Sequence, residues 1–187
     1  MNNHKVIFLD TETTGLNYDG TDEILEIAII DDYGVVLLHT YVKPEHHEQW
    51  PEAEAIHHIT PEMVQNSPVI SELIPIINDI FDNADRVVIY NADYDMGFIN
   101  PLLYNSEHKE KIHCCMKEFA EVYGEWNDHY GQYKWKNLSF AMNYYDQQWS
   151  GEAHGALADT FACKAVWEQI HPNDHQIIMN QTKSKSR

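Results

Sequence analysis

Short apolar runs alternate with segments of helical periodicity along the chain. The runs predict strands over residues 5–10, 23–32, 34–43, 86–90 and 112–116. The first run is almost wholly apolar, which is typical of a central strand buried on both faces. The turn residues DDYG at 31–34 separate the second and third runs and predict a hairpin.

Apolar residues at helical spacing predict helices over residues 71–83, 94–104, 117–124, 137–145 and 156–170. We expect Ser71 to cap the first of these, which leaves Pro75 near the helix start, where N–H groups lack helical partners anyway. Pro172 is expected to end the last helix. Residues 44–70 contain four prolines and are predicted to be loop and short helix.

This order of elements predicts an α/β domain with a mixed sheet, because a meander of strands is followed by alternating helices and strands. A length of 187 residues is usual for one domain. No repeat or linker divides the sequence. We therefore expect one domain over residues 1–172, followed by a short, polar, flexible tail over residues 173–187.

The composition is strongly acidic. Twelve Lys and Arg residues stand against thirty Asp and Glu residues, which gives a net charge of −18. Proteins that hold long duplexes by their phosphates are basic, so this charge argues against broad duplex binding. It is compatible with a deep pocket in which carboxylates bind divalent cations and the cations meet a phosphate.

The sequence predicts neither a membrane span nor a secretion signal. No apolar run approaches the roughly 20 residues that cross a bilayer. The N-terminal residues lead into a short strand and not into a long apolar stretch. We therefore expect a cytoplasmic protein with no membrane partner.

Two acids end the first predicted strand. Alternation along a strand places residues i and i+2 on one face, so Asp10 and Glu12 should point the same way. Adjacent carboxylates repel one another unless a cation or a proton compensates them, which makes the pair a candidate metal site. The alternative is a pair of exposed acids, which are common in so acidic a chain.

A second acidic group, YNADYD at residues 90–95, follows the fourth strand and opens a helix. Ligands of α/β sheets gather beyond strand ends. Asp93 is the better placed of the two aspartates to cap the helix, so we assign Asp95 to the candidate site. The alternative is that both acids only favour the helix N-terminus through the macrodipole.

His154 and Asp159 form a third group. Asp159 lies on the last predicted helix, and His154 precedes it in a loop beside Gly155. A histidine in such a loop titrates near neutral pH and can move protons. The alternative is a surface role, since His154 is one of twelve histidines.

An aromatic segment, residues 123–137, interleaves five Tyr and Trp residues with Lys134 and Lys136. Aromatic and cationic side chains suit stacking against unpaired bases. The alternative hypothesis is that these aromatics attach a loop to the domain.

The three groups lie in strings that resemble the motifs of the DEDDh branch of the DnaQ-like exonucleases. The strings are FLDTETTGL at 8–16, YNADYDMGFI at 90–99 and HGALADTFACKAVW at 154–167. AIHHITPEMV at 55–64 also resembles a segment of this family, which includes exonuclease X and the proofreading subunits of bacterial DNA polymerase III. The resemblance implies a ribonuclease H-like fold with a five-stranded mixed sheet flanked by helices.

The resemblance also implies roles for individual residues. Asp10 and Glu12 match the acids of the first motif, Asp95 that of the second and Asp159 that of the third. His154 matches the histidine that distinguishes this branch. The residues expected to contact the 3′-terminal nucleotide are Thr13, Thr14, Gly15, Leu16 and Asn91.

The activity implied is a 3′→5′ exonuclease that prefers single-stranded DNA and uses two Mg²⁺ or Mn²⁺ ions, which favour oxygen ligands. In this mechanism Asp10 bridges the ions and His154 accepts the proton of the attacking water, so that a nucleoside 5′-monophosphate leaves. The chain ends soon after the third motif, so we expect a free-standing enzyme.

Other functions fit the same residues. An oligoribonuclease-like enzyme or a phosphodiesterase for dinucleotides or small nucleotides would suit the acidic surface better than one for long strands. A catalytically silent binding module would share the fold, although the presence of all five site residues favours an enzyme. The choice between DNA and RNA depends on the shape of the pocket, and the oligomeric state is left open.

Overall fold

A five-stranded mixed sheet is the centre of the structure, a computed structural model that describes residues 4–149 and 154–172. Its strands are β1 (His4–Thr13), β2 (Ile24–Asp31), β3 (Val36–Tyr41), β4 (Ala84–Ile89) and β5 (Ile112–Cys114). They lie in the order β3-β2-β1-β4-β5. β1 pairs antiparallel with β2 and parallel with β4, which confirms the predicted mixed sheet. The tail at 173–187 lies outside the described residues.

The α-helices of the described part are α1 (Pro51–His57), α2 (Pro61–Val64), α3 (Ile70–Asp82), α4 (Ala92–Ile99), α5 (Cys115–Tyr123), α6 (Leu138–Tyr144) and α7 (Ala156–Ile170). Helix α7 begins and ends at the predicted residues. Two short strands, β6 (Trp126–Asn127) and β7 (Gln132–Tyr133), pair as a separate hairpin that the sequence pattern did not predict.

Helices cover both faces of the sheet because β1 is apolar on both. Ile7 and Leu9 pack in a core that includes residues of α3 and α4. Val6 and Phe8 point the other way and pack against residues of α5, α6 and α7. The sheet is therefore the middle of three layers, and α4 and α7 lie on opposite faces of it.

Helix α3 differs from the prediction at its start. It begins at Ile70 with Val69 as N-cap, so Ser71 lies inside the helix and does not cap it. Pro75 is therefore an interior residue, where it removes one helical hydrogen bond at a cost of about 3 kcal/mol. Full burial of two large apolar side chains stabilises the fold by roughly 1.5–3 kcal/mol for each side chain, which offsets the cost of Pro75. Tertiary packing of the apolar face thus outweighs the local signal.

Several other predicted elements were too long, among them β3, which was predicted over 34–43 and spans Val36–Tyr41. Helix α4 ends at Ile99, where Asn100–Leu102 forms a 3-10 turn that includes Pro101. Proline disfavours a helical conformation of the residue before it and lacks an N–H, which accounts for this end. Strand β5 ends at Cys114 because α5 starts at the next residue.

Strands β1 and β4 end at the same edge of the sheet. They run parallel, and Leu9 of β1 is paired with Ile89, the last residue of β4. Asp10, which continues β1, and Tyr90, which follows β4, therefore lie side by side at this edge. This is the edge at which α/β sheets bind their ligands.

No helix of the described residues is both long and apolar enough to cross a membrane. The longest of these helices, α7, has 15 residues, and at about 1.5 Å per residue it is shorter than the roughly 30 Å of a bilayer core. The cytoplasmic location stays a prediction.

Adjacent isoleucines of α3 provide a matched test of the core. Ile77 is fully buried and Ile76 is 46% exposed. We expect Ile77→Ala to lower the free energy of unfolding by about 2–5 kcal/mol, because it leaves a cavity between α3 and the sheet. Ile76→Ala should change it by about 0.5 kcal/mol or less. Chemical denaturation of both variants measures the difference, and equal losses would contradict the packing described here.

Candidate active site

Strand β1 directs Asp10 and Glu12 to one face of the sheet. β1 runs to Thr13, three residues beyond the predicted strand, because it pairs with β2 along its C-terminal half. Phe8 faces α7, and strand alternation continues that face to Asp10 and Glu12. Both acids therefore lie on the side of α7, the helix that includes Asp159.

Asp159 completes a group of three carboxylates. It lies in the first turn of α7, whose N-cap is Gly155. One ligand atom from each of Asp10, Glu12 and Asp159 lies within 4.8 Å of the other two. Among the residues that the structure describes, no other three acidic, histidine or cysteine side chains approach one another in this way.

Asp95 approaches this group from the opposite face of the sheet. It is the fourth residue of α4 and is only 3% exposed. Its Oδ1 accepts hydrogen bonds from the N–H of Thr11 at 3.1 Å and from its hydroxyl at 2.8 Å. Thr11 stands between Asp10 and Glu12 in the sequence. Asp95 is not one of the three acids within 4.8 Å, but its charge raises the pKa of Asp10.

The two aspartates of α4 have different surroundings. Asp93 is exposed, and its carboxylate pairs with Nζ of Lys117 at 2.7 Å, away from the three acids. The expectation that Asp93 caps α4 was wrong, because the N-cap is Asn91, whose carbonyl accepts the N–H groups of Tyr94 and Asp95. Asn91 is exposed at the start of α4.

The backbone of His154 contacts Asp159. The His154 N–H donates to Oδ1 of Asp159 at 3.2 Å, and the residue is exposed. Its φ of 67° is in the left-handed region, which is uncommon for a residue other than glycine. His154 therefore lies against the first turn of α7, with its imidazole available to solvent.

Burial raises the pKa of all four acids, and repulsion from neighbouring carboxylates adds to this effect. Burial moves the pKa of Asp10 well above its usual range, and the charges of Asp95, Glu12 and Asp159 add to the effect. Burial, followed by the charge of Asp159, raises the pKa of Glu12 to about 8. Burial raises the pKa of Asp95 to about 7, although its hydrogen bonds from Thr11 lower it. Burial also raises the pKa of Asp159.

Three uncompensated charges would be too costly at this site. At an effective dielectric of about 20, two unit charges about 4.8 Å apart repel by roughly 3 kcal/mol. Three such pairs approach the roughly 5–15 kcal/mol that stabilises an ordinary domain. Protons or cations must therefore compensate the acids. A group of carboxylates without thiolate or imidazole suits hard cations such as Mg²⁺ and Mn²⁺ better than zinc.

The loop after β1 is held by α4. It contains the predicted nucleotide contacts Thr14, Gly15 and Leu16, and the fourth, Thr13, is the last residue of β1. The hydroxyls of Tyr94 and Thr13 lie 2.9 and 2.7 Å from the Gly15 carbonyl and also contact each other. With one proton each, one hydroxyl donates to the carbonyl and the other donates to its neighbouring hydroxyl. The start of the loop is thus fixed to the helix that includes Asp95.

Asp22 holds the other side of this loop. Its carboxylate accepts from the Thr14 hydroxyl at 3.0 Å and from the N–H of Asn17 at 2.8 Å. A Cβ on Gly15 would lie 2.6 Å from that carboxylate, so the close approach requires glycine. The side chain of Leu16 is 79% exposed. The loop therefore presents an apolar side chain to solvent from a backbone that is held on both sides.

The aromatic segment folds as the hairpin of β6 and β7. The rings of Trp126 and Tyr133 pack edge to face at 5.2 Å, and the Tyr90 hydroxyl donates to the Lys136 carbonyl at 2.8 Å. Glu125 pairs with both lysines of the segment. The hydrogen bond from Tyr90 thus attaches the segment to the domain, and the paired lysines have little charge left for phosphates, while Trp126, Tyr130 and Trp135 stay 47–70% exposed.

Three residues around the acids were not assigned from the sequence: Thr11, Tyr94 and Glu26. Glu26 lies in β2 opposite Glu12 and is 5% exposed. In the sequence, Glu26 can be recognised as an acid within the apolar run ILEIAIID. Thr11 and Tyr94 act through partners more than 80 residues away, which no local pattern predicts.

Comparison with known proteins gives the family. The chain matches the exonuclease family RNase T over residues 7–167. It is 41% identical over 163 residues to the uncharacterized exonuclease CP81 of Escherichia phage 186, which covers 82% of this chain and 81% of the phage protein. It is 33% identical over 107 residues to the DNA polymerase III subunit epsilon of Buchnera aphidicola, over 53% of this chain and 45% of the subunit. The match thus spans less than half of that subunit.

Solved structures share the fold. Exonuclease X in complex with 5′-overhanging duplex DNA matches with a TM-score of 0.67 and 26% identity, over 88% of this chain and 90% of that one. Exonuclease I of E. coli in complex with a dA16 oligonucleotide matches with a TM-score of 0.70 and 19% identity, over 93% of this chain and 42% of that one, and indicates the fold alone. The protein therefore has a ribonuclease H-like fold and belongs to the DnaQ-like exonucleases, which hydrolyse phosphodiester bonds.

Proposed function

We propose that this protein is a metal-dependent 3′→5′ exonuclease that removes nucleoside 5′-monophosphates from 3′ ends and prefers single-stranded DNA. The observation that supports this most is the group of Asp10, Glu12 and Asp159, with Asp95 beside it. Acids this close to one another and only partly exposed need compensating charge. Pairs of divalent cations supply that charge in many enzymes that cleave phosphodiesters.

The four acids would hold two Mg²⁺ or Mn²⁺ ions. When bound, such ions act as Lewis acids on the scissile phosphodiester. His154 would accept the proton of the attacking water at its imidazole, since the residue is exposed and its backbone contacts Asp159. A nucleoside 5′-monophosphate would then leave from the 3′ end.

The loop after β1 would bind the terminal nucleotide. Leu16 offers an exposed apolar side chain for contact with the last base. Tyr94 and Asp22 hold the loop backbone, so little conformational freedom would be lost on binding. Gly15 would line the nucleotide, and the exposed Asn91 would contact it from the start of α4. Thr13 and Thr14 are buried and their hydroxyls bond to protein groups, so they would support the nucleotide site through the loop.

Direction and strand preference rest on separate arguments. The 3′→5′ direction is supported by the similarity to epsilon subunits and to exonuclease X, because this direction is typical of the DnaQ-like family. The preference for single strands is supported by the net charge of −18, which leaves few cations for phosphates along a duplex. DNA is favoured over RNA because exonuclease X was solved with DNA.

The direction can be tested with DNA strands labelled at either end. In Mg²⁺ or Mn²⁺ we expect the 3′ label to leave at once as a mononucleotide and the 5′-labelled strand to shorten gradually. Single strands should be degraded faster than blunt duplexes, with a shallow dependence on salt. Excess EDTA should stop the reaction, and added metal should restore it.

Other substrates in the same assay distinguish the alternatives. Faster cleavage of a dinucleotide than of any strand would favour a small-nucleotide phosphodiesterase, and faster cleavage of RNA would favour an oligoribonuclease-like enzyme. Early release of the 5′ label would contradict the direction. Binding of strands without cleavage of any substrate would indicate a silent module.

The two aspartates of α4 provide a matched pair of variants. Asp95→Asn removes a charge from the buried acids, whereas Asp93→Asn removes one from an exposed ion pair with Lys117. We expect Asp95→Asn to lower the rate by at least about 100-fold, because metal binding contributes several kcal/mol to the transition state. Asp93→Asn should keep most of the rate. Single-turnover assays measure both, and the reverse result would reject the assignment of Asp95.

The raised pKa values predict how stability depends on pH without metal. The unfolded chain releases the proton of Glu12 near pH 4.5, whereas the folded protein keeps it up to about pH 8. Since the folded state binds more protons in this window, the free energy of unfolding should fall as pH rises through it. Denaturation in EDTA measures this fall, which should be smaller in Glu12→Gln.

Added Mn²⁺ should offset that loss of stability. Metal binds the deprotonated carboxylates, so the gain should be larger near about pH 8 than near about pH 5. Asp10→Asn should lose most of the gain because it removes a carboxylate from the group. An equal gain at both pH values, or an equal gain in this variant, would contradict metal binding by these acids.

A further inference from the structure

Glu26 is a buried acid that the proposed mechanism does not use. It lies in β2 directly opposite Glu12 of β1 and is 5% exposed. Like charges directly opposite one another on paired strands destabilise a sheet. An apolar residue at this position would avoid that cost, so packing alone does not account for a carboxylate here.

Both carboxylate oxygens of Glu26 have partners. Oε1 lies 2.7 Å from Nε2 of His39, on the neighbouring strand β3. Oε2 accepts a hydrogen bond from the N–H of Ala156 at 3.0 Å. The carboxylate thus connects two strands of the sheet with a helix that lies 130 residues further along the chain.

The N-terminus of α7 takes its cap from this carboxylate. The first N–H groups of a helix have no partner within it, and the N-cap Gly155 has no side chain that could supply one. Glu26 supplies the acceptor from the sheet, and a negative charge is favourable at a helix N-terminus. Ala156 is fully buried, so water is a poor substitute for this bond.

The capped residue lies close to the proposed general base. His154 precedes Ala156 by two residues, and its N–H donates to Asp159 in the same turn. Asp159 is also fixed by the helix that continues beyond it, which packs on the sheet through Cys163. His154 lies outside the helix. Movement of the first turn would therefore displace His154 more than Asp159.

We propose that Glu26 is a positioning residue that anchors the first turn of α7 to the sheet and thereby sets the position of His154. This inference rests on the proposed function, because it requires His154 to act on the substrate. In this role Glu26 bonds to His39 and Ala156, and it is not one of the three acids whose ligand atoms lie within 4.8 Å of one another.

Amide exchange tests the anchor without any substrate. In the wild-type protein we expect the N–H of Ala156 to exchange slowly, because it is buried and bonded to Glu26. Glu26→Ala should speed exchange at residues 156–159 and leave the later turns of α7 unchanged. Glu26→Gln keeps an acceptor oxygen and should protect these amides. Unchanged exchange in Glu26→Ala would overturn the anchor.

The alanine and glutamine variants of Glu26 both remove the negative charge next to Glu12, but only glutamine keeps a hydrogen-bond acceptor. The difference in rate between the two variants therefore measures the effect of the hydrogen bond. We expect Glu26→Ala to turn over about 10–100-fold more slowly than Glu26→Gln, the usual range for loss of a supporting contact. Both should need similar Mn²⁺ concentrations for half-maximal rate. Equal turnover in the two variants would overturn the positioning role.

Asp31→Ala is the matched control. Asp31 is a buried acid on the same strand, and its Oδ1 accepts the N–H groups of Tyr33 and Val35 in the turn after β2, which lies beside Phe161 in the second turn of α7 and not at its first turn. This variant should lose stability and keep its turnover per folded molecule. A loss of turnover as large as that of Glu26→Ala would show that general destabilisation accounts for both.

A double-mutant cycle tests whether the effect passes through His154. In a His154→Ala background, the alanine and glutamine variants of Glu26 should have the same rate within about twofold. If the full difference persisted there, Glu26 would act on another part of the site, and the proposal would be wrong. A wild-type protein that cleaves no substrate would instead reject the proposed function, and the exchange experiment would still decide whether Glu26 anchors α7.

Discussion

Mutual repulsion of partly buried carboxylates is the constraint on which this structure depends. Asp10, Glu12 and Asp159 approach within 4.8 Å, and Asp95 lies near enough to raise the pKa of Asp10. The acids do not hold one another in place, so the fold must do so. The supporting free energy comes from the apolar clusters on the two faces of the sheet, where β1 is covered on both sides. A site that repels itself when empty is also one that gains most from cations.

Side chains alternate between the two faces of β1, and residues from both helical layers therefore meet at this site. Asp10 and Glu12 point toward α7, and Thr11 between them bonds to Asp95 of α4 on the other face. One strand end therefore fixes acids that come from both sides of the sheet. The same helix α4 also holds the loop after β1 through Tyr94. Helix α4 thus contacts both the strand end that includes the acids and the loop that presents the exposed Leu16.

The acidic surface and the acidic site lead to one consistent picture of substrate binding. A net charge of −18 leaves little attraction for long phosphate backbones. Where lysines lie beside aromatic side chains, in the segment of β6 and β7, Glu125 already pairs with them. Binding would therefore depend on cations at the carboxylates and on contacts with the last nucleotides. Such an enzyme would recognise an end rather than a length of strand.

The sequence by itself determined the class of fold and predicted which acids would lie together. Strong periodicity predicted the sheet and the bounds of α7, and the order of the three motifs predicted which acids belong together. Local signals were less reliable where packing opposes them. Ser71 and Pro75 suggested a later start for α3, but burial of its apolar face extends the helix to Ile70. Asp93 suggested a cap, but Asn91 occupies that position.

Only the tertiary structure decided how the acids are supported. Thr11 and Asp95 are 84 residues apart, and Glu26 and Ala156 are 130 residues apart. The buried acid of β2 was visible in the sequence as an interruption of an apolar run, but its partner was not. Periodicity and motif spacing are properties of neighbouring residues. The contact between Glu26 and α7 exists only because the chain returns across the sheet, and a hydrogen bond depends on distance in space and not along the sequence.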